Sequence, residues 1–180
     1  MSKVQSLYYI PTGLDSDFCE LLIKKMAKGK FMDASTFSEP GLRSSKVQWI
    51  NTDSWVGGMM AHYVNYANLN VFGYKLSSWA DKIQYTVYNE GDRYGWHSDL
   101  PVGHIEGEFQ RKLSIIMSLS SIDDYEGGEV QIKLADTVQN LKLDAGDAVV
   151  FPADALHRVR TVRSGKRITL VGWYGGPKFI

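Results

Sequence analysis

From Asn70 onward the chain consists of short runs rich in Val, Ile, Tyr and Trp, separated by Gly, Asp, Asn and Ser. Such a succession of β-forming residues and turn residues is typical of antiparallel strands joined by short turns. It limits the chain to folds in which many short strands close a barrel or form two facing sheets. The candidate strands are residues 70–76, 82–89, 94–98, 111–119, 128–134, 139–143, 147–152, 156–163 and 167–174.

Two amphipathic segments precede these strands. Asp15 or Ser16 can cap a helix that ends at Gly29, and the spacing of apolar residues predicts a second helix over 54–67. We therefore expect a mainly β fold with helices (α+β), a jelly-roll or cupin-like barrel with the N-terminal helices packed on one sheet. The mouth of such a barrel can hold a small ligand.

The composition excludes several classes of protein. Twenty basic and twenty acidic side chains cancel, so no overall field attracts nucleic acid or an anionic membrane. The 180 residues contain no repeat or linker, which predicts a single domain over 1–180. The only cysteine is Cys19, and no run has the length of a signal peptide or membrane span, so we expect a cytoplasmic protein. The oligomeric state is left open.

Four residues in the second half of the chain form a pattern that suggests metal chemistry. His97 and Asp99 share one face of a strand because alternate side chains point the same way. Together with His157 they offer two imidazoles and one carboxylate, which fill one face of an octahedron and leave three positions open. This ligand set is typical of non-haem Fe(II) sites that activate O2. Arg167 follows, and its planar guanidinium can clamp a carboxylate through two hydrogen bonds.

The orientation of Arg167 depends on the turn that precedes it. A three-residue loop at 164–166, with Gly165 in a left-handed conformation, would pair His157 with Trp173 across a hairpin and place Arg167 on the same face as His157. A two-residue turn would send Arg167 to the opposite face. We predict the three-residue loop.

Three segments carry a resemblance to a known family. The stretches YNEGDRYGWHSD (88–99), RKLSIIMSLSSIDDYEGGEVQI (111–132) and FPADALHRVRTVRSGKRITLVGW (151–173) resemble the Fe(II)- and 2-oxoglutarate-dependent dioxygenases of the prolyl 4-hydroxylase type, especially the PKHD-type hydroxylases. The similarity covers residues 43–174. It implies a double-stranded β-helix, in agreement with the strand pattern.

The resemblance also assigns roles to individual residues. It implies that His97, Asp99 and His157 ligate Fe(II) and that Arg167 binds the distal carboxylate of 2-oxoglutarate, with O2 as the second co-substrate and ascorbate as a reductant. Each side chain also has an ordinary structural interpretation, such as a buried histidine bonded to a backbone carbonyl or a tyrosine in strand packing. The further residues expected to contact the co-substrate are Tyr88, Tyr94, Ser118 and Thr169. Trp96 and Trp173 are expected as apolar walls near the metal, and the loop 101–110, with His104, as a lid.

The implied activity is the hydroxylation of an unactivated C–H bond, most simply in a peptidyl proline. A free amino acid or another small molecule is an alternative substrate, because the same scaffold serves several chemistries. A nucleic-acid demethylase is disfavoured by the zero net charge. A metal-binding cupin-like module and a purely structural jelly roll are the non-enzymatic alternatives. The expected partner is thus a peptide, a protein or a small molecule.

Overall fold

The computed structural model describes residues 6–34, 39–100 and 108–178. Its helices are α1 (Ser16–Met26) and α2 (Trp55–Ala67), and a short π-helical turn (Asn68–Phe72) continues α2. The strands in these ranges are β1 (Tyr8–Pro11), β2 (Met32–Asp33), β3 (Arg43–Ser44), β4 (Lys46–Ile50), β5 (Ser78–Trp79), β6 (Ile83–Tyr88), β7 (Arg93–His97), β8 (Phe109–Ser118), β9 (Tyr125–Gly127), β10 (Val130–Leu134), β11 (Thr137–Leu141), β12 (Asp147–Pro152), β13 (His157–Val159), β14 (Val162–Gly165) and β15 (Arg167–Pro177).

Both helices begin where the sequence indicates. The side chain of Asp15 accepts a hydrogen bond from the Phe18 N–H and caps α1, while Ser54 caps α2 through the Gly57 N–H. Helix α1 ends earlier than its predicted limit at Gly29. Neither helix has the length and apolar character needed to cross a bilayer, and the described residues contain no other helix that does.

The strands form two principal sheets. Within the described residues the major sheet has the order β1-β12-β8-β15-β6-β4-β2, with β5 paired to β15. The minor sheet has the order β11-β10-β13-β7-β3, and β9 and β14 form a separate pair. All of the pairs are antiparallel. The predicted fold class, a mainly β double-stranded β-helix with helices on one sheet, is confirmed.

Alternation along β8 separates the two faces of the major sheet. Leu113, Ile115 and Met117 belong to the core that includes Met60 of α2, so they face the helices. Ile116, on the opposite face of the strand, packs with apolar side chains of the minor sheet. The major sheet is therefore covered on both faces, and the cavity lies between the two sheets.

Two predicted boundaries are wrong in informative ways. Residues 70–76 are not a strand, because the chain continues α2 as the π-helical turn and leaves it through Gly73 at φ +62°. The segment 43–50, which has no predicted strand, supplies one strand to each sheet, β3 and β4. Its alternation is short and interrupted by polar residues, so strand pairing rather than local propensity decides its structure.

The predicted pairing of the last hairpin is also wrong. Gly165 has the expected left-handed conformation, at φ +76°. However, β13 pairs with β10 and β7, whereas β15 pairs with β6 and β8, so His157 does not lie opposite Trp173. The chain leaves the minor sheet after β13 and enters the major sheet at β15. Arg167 nevertheless faces the same cavity as His157, because the two sheets face each other.

Candidate metal centre and co-substrate pocket

Neighbouring strands of the minor sheet bring the three predicted metal ligands together. His97 ends β7, His157 begins β13, and the two residues are direct partners across the ladder. Asp99 follows His97 by two residues and joins the same face. The candidate ligand atoms of the three side chains all lie within 4.8 Å of one another. The sequence spacing and the strand pairing together thus produce a compact cluster of two nitrogens and an oxygen.

Backbone carbonyls set the tautomer of both histidines. The Nδ1 atom of His97 lies 2.8 Å from the Gly95 carbonyl oxygen, and that of His157 lies 2.9 Å from the Ala155 carbonyl oxygen. A carbonyl oxygen only accepts, so each Nδ1 carries the hydrogen and it is Nε2 of each ring that can serve as a metal ligand. These Nε2 atoms lie 3.8 Å and 3.4 Å from the oxygens of Asp99. Both imidazoles are therefore oriented as metal ligands.

The charge state of the cluster also suits a divalent cation. Burial lowers the pKa of His97 to about 4, and the neighbouring His157 acts in the same direction. Burial opposes ionisation of Asp99, but the two imidazoles and the Ser114 hydroxyl outweigh it and hold the pKa of Asp99 below its usual value. At neutral pH the cluster offers a neutral His97 imidazole and a carboxylate.

The carboxylate of Asp99 is held by a second residue. Ser114 on β8 donates a hydrogen bond of 2.7 Å from Oγ to Asp99 Oδ2. Ser114 is fully buried, so this bond is shielded from water. The donor set has two nitrogens, one oxygen and an outer hydrogen bond to each ligand. It fits Fe(II) in the arrangement of two histidines and one carboxylate.

Arg167 lies in the same cavity as the cluster, on the facing sheet. It begins β15 and is paired with Tyr88 of β6, whose ring centroid lies 5.4 Å from the guanidinium carbon. The side chain is 2% exposed. In residues 6–34, 39–100 and 108–178, no carboxylate lies within ion-pair distance of it. A buried guanidinium without a counter-ion is costly unless an anion binds beside it.

A polar atom on the same strand as Arg167 has no hydrogen-bond partner among the described residues. The hydroxyl of Thr169, two residues along β15, is buried and forms no hydrogen bond with any described residue. Thr169 and Arg167 both line the cavity that contains the metal cluster. A carboxylate bound there would satisfy the cation and the hydroxyl together.

The missing side chain of Gly128 leaves the space that Arg167 occupies next to Tyr125. Gly128 has φ +64°, and a Cβ atom there would lie 3.0 Å from Cδ of Arg167 and 3.2 Å from the Tyr125 ring. Burial raises the pKa of Tyr125, while the nearby Arg167 charge opposes that shift. The Gly127-Gly128 pair therefore does more than make a turn, since Gly128 leaves space for the arginine stem.

The cavity is lined by most of the residues expected from the sequence and by several that the sequence did not single out. Tyr94 stacks on His97 with ring centroids 3.5 Å apart and an interplanar angle of 9°. Trp173 forms a wall beneath the guanidinium of Arg111, which lies 4.5 Å above its ring. The full lining is Arg43, Gln84, Tyr88, Tyr94, His97, Asp99, Ile116, His157, Val159, Arg167, Thr169, Val171 and Trp173.

Two residues expected at the site, Ser118 and Trp96, do not line the cavity. Ser118 is beside Thr169 in the register, but its hydroxyl donates to the Ser120 carbonyl and it does not line the cavity. Trp96 is on the outer face of the minor sheet, where it contacts Arg158, so the expectation that it forms a wall of the site is wrong. Of the predicted lid over 101–110, residues 101–107, which include His104, lie outside the described residues, and Phe109 and Gln110 begin β8.

Four residues around the cavity were not recognised as a group from the sequence. Ser114, Gln84 and Tyr125 have ordinary strand positions, and their roles depend on partners far away in the chain. Arg43 is one of several basic side chains in the sequence, and no local pattern distinguishes it from the others. The one available signal was periodicity, because Ser114 lies on the same face of β8 as Ile116.

Comparisons with known proteins agree with this geometry. The 2OG-Fe(II) oxygenase superfamily model matches residues 83–175. A PKHD-type hydroxylase of Hyphomonas neptunium is 42% identical over 85 residues, which cover 47% of this chain and 38% of that protein. The match therefore leaves more than half of the length of this relative uncovered.

Solved structures share the fold at low sequence identity. The prolyl-4-hydroxylase of Pseudomonas putida has a TM-score of 0.72 and 19% identity, covering 94% of this chain and 92% of that chain. The prolyl hydroxylase of Trichoplax adhaerens, in complex with a peptide fragment of the hypoxia inducible factor oxygen degradation domain, has a TM-score of 0.73 and 16% identity, covering 96% and 84%. Because the family model covers more than half of the chain, and its range includes the His-Asp-His cluster and Arg167, this chain belongs to the 2OG-Fe(II) oxygenase superfamily.

Proposed function

We propose that residues 1–180 are one Fe(II)- and 2-oxoglutarate-dependent dioxygenase domain that hydroxylates an unactivated C–H bond. His97, Asp99 and His157 hold Fe(II), and Arg167 binds the distal carboxylate of 2-oxoglutarate. The observation that carries the proposal is that one cavity holds both the His-Asp-His cluster and a buried arginine for which the described residues supply no counter-ion. Family membership implies Fe(II), 2-oxoglutarate and O2.

Fe(II), 2-oxoglutarate and O2 together supply the oxidising power for hydroxylation, and 2-oxoglutarate leaves as succinate and CO2. The protein's contribution is to bind and orient. The two Nδ1–H bonds hold the imidazoles in place, and Ser114 holds Asp99. Arg167, with Thr169 beside it, offers charge-assisted hydrogen bonds to a carboxylate, and the buried Tyr88 ring excludes water from that side.

The experiment is an anaerobic titration of the metal-free protein with Fe(II) and then 2-oxoglutarate, in which the visible charge-transfer band of the chelated complex is recorded. We expect a band that is lost in His157→Ala and Asp99→Ala. A protein that gives no band but binds Zn2+ tightly would contradict the proposal and favour a metal-binding module.

For the substrate we propose a prolyl residue in a peptide or protein. The resemblance to prolyl 4-hydroxylases supports this class, as does the peptide bound by the Trichoplax adhaerens neighbour. The aromatic pair Trp49 and Trp173, with ring centroids 6.4 Å apart, offers an apolar wall that suits a pyrrolidine ring. Succinate release with proline-containing peptides tests the class, and the same assay with and without ascorbate tests the proposed reductant.

A further inference from the structure

We infer that Arg43 is a second anion-binding group of the cavity and that it recognises a carboxylate carried by the substrate to be oxidised. The inference rests on the proposed function and deepens it, because it names a chemical feature of the substrate. The carboxylate is either the main-chain carboxylate of an amino acid or the side chain of an acidic residue beside the oxidised one.

Arg43 is placed at the cavity by strand pairing. It lies on β3 at the edge of the minor sheet, directly opposite Tyr94 of β7. Its guanidinium carbon lies 4.7 Å from the Tyr94 ring centroid, and Tyr94 in turn stacks on His97. Guanidinium, phenol and imidazole thus form one continuous stack that leads from the cavity wall to the metal cluster.

Among the described residues, the hydrogen-bond partners of the Arg43 side chain are neutral. Nη2 donates a 2.7 Å hydrogen bond to Gln84 Oε1, and Nε donates a 2.9 Å bond to Ser45 Oγ. Gln84 is 5% exposed and lies on β6 of the facing sheet, so the arginine spans the two sheets in a defined position. Two of its five N–H groups are used in the described part of the chain. One hydrogen on each terminal nitrogen can still form a fork toward a carboxylate.

No described carboxylate forms an ion pair with Arg43; the described ion pairs of arginine and lysine join Lys24, Lys46, Arg111 and Arg160 to acidic residues. Unlike Arg167, Arg43 is only partly buried, so it can exchange water for a ligand that enters from solvent. The positive charge of Arg43 is therefore balanced by an anion that the substrate supplies.

Arg43 and Arg167 serve different parts of the cavity. In the ladder between β6 and β15, Gln84 pairs with Val171 and Tyr88 pairs with Arg167. The anchor of Arg43 is thus four residues from Arg167 along these strands, which corresponds to roughly 13 Å at the usual rise of a strand. The aromatic pair Trp49–Trp173, the proposed substrate wall, lies at the Gln84 end.

The test measures binding of matched acids and amides to the anaerobic complex with Fe(II) and 2-oxoglutarate, followed by the change in its absorption band. One arm compares N-acetyl-L-proline with N-acetyl-L-prolinamide, and the other compares acetyl-Pro-Glu-amide with acetyl-Pro-Gln-amide. We expect at least a tenfold tighter binding of the acid in one arm, since a charge-assisted bidentate pair is lost in the amide. The arm that shows the preference identifies the source of the carboxylate.

Arg43→Gln should abolish the acid preference, and Arg43→Lys should keep part of it, since a point charge cannot reproduce the fork. In both variants the 2-oxoglutarate concentration that half-saturates the band should stay unchanged, which also reports an intact fold. Arg93→Gln is the matched control, because Arg93 is the exposed neighbour on the same ladder.

Three results would overturn the inference. If no acid binds better than its amide, including the case in which neither binds, the substrate carboxylate is absent while the proposed function stands. If Arg43→Gln raises the 2-oxoglutarate requirement as Arg167 variants do, Arg43 belongs to the co-substrate site. If the wild-type protein forms no band at all, the proposed function itself fails.

Discussion

Arg167 is a buried cation that lies beside the Tyr88 ring and forms no ion pair with any described carboxylate. Arg167→Lys keeps the charge but loses the planar fork, so we expect the 2-oxoglutarate requirement to rise by roughly tenfold to a hundredfold. The measurement is the co-substrate concentration that half-saturates the absorption band. Arg163→Lys, at an exposed position, is the control. Unchanged 2-oxoglutarate binding in Arg167→Lys would remove this residue from the co-substrate site.

The Asp99 carboxylate depends on a single described side-chain hydroxyl, that of Ser114. Ser114→Ala should lower Fe(II) affinity by roughly tenfold to a hundredfold, because an outer hydrogen bond orients the ligand and favours its charged form. An anaerobic competition titration with a chelator of known affinity measures the effect. Ser118→Ala is matched to it, since that hydroxyl lies on the same strand but donates to a backbone carbonyl. Equal Fe(II) affinity in the two variants would show that Ser114 does not position the ligand.

At the scale of the element, the segment that joins β9 to β10 places Arg167 by leaving space beside it. In Gly128→Ala the new methyl group would lie 3.0 Å from Arg167 Cδ and 3.1 Å from Val162 Cγ2, on a left-handed backbone. We expect a loss of about 2–4 kcal/mol in the free energy of unfolding, from conformational strain and overpacking together. Urea denaturation measures the loss, and the 2-oxoglutarate requirement should rise with it.

A substitution at Gly73 separates the cost of the strained backbone from the cost of crowding by the new methyl group. Its φ of +62° is close to that of Gly128, but a Cβ atom there would meet nothing within 4 Å. Gly73→Ala should therefore show only the conformational part, about 1 kcal/mol, with unchanged co-substrate binding. If both variants lose the same stability and bind 2-oxoglutarate equally well, crowding against Arg167 is not the reason for glycine at 128.

At the scale of the whole molecule, the cavity joins two sheets that carry different parts of the site. The candidate metal ligands belong to the minor sheet and the loop after β7, whereas Arg167, Thr169 and Ser114 belong to the major sheet. A ligand that binds both sets stabilises the association of the sheets by mass action. Binding at a hundred times the dissociation constant contributes about 2.7 kcal/mol, or roughly 5–11 °C in melting temperature for a chain of this size.

The stabilisation by bound metal and co-substrate can be measured without catalytic turnover. Mn(II) replaces Fe(II), and thermal unfolding is followed with Mn(II) alone, 2-oxoglutarate alone and both together. We expect the largest shift with both, and no metal-dependent shift in His157→Ala. The same shift in wild-type protein and His157→Ala would mean that the metal binds elsewhere.

The class of fold and the shared face of the predicted metal ligands follow from local sequence patterns. Period-two alternation places His97 and Asp99 on one face without knowledge of any partner strand. The turn residues predict many short strands, but the nine candidate strands fall short of the fifteen in the described residues. Gly165 was identified from its turn, and its left-handed conformation agrees. Both helix starts follow from local caps at Asp15 and Ser54. These features depend on residues close together in the chain, where steric and hydrogen-bonding preferences act directly.

The pairing of strands does not follow from local patterns and is seen first in the folded chain. The sequence predicts that strands 156–163 and 167–174 pair with each other, yet β13 and β15 belong to opposite sheets. Arg167 reaches the cavity from the sheet that faces His157. The clamp of Ser114 on Asp99, the space left by Gly128 and the bridge from Arg43 to Gln84 likewise join distant segments. Alternation specifies a face but not a partner, because strand pairing depends on burial and hydrogen bonding between segments that the local sequence does not relate.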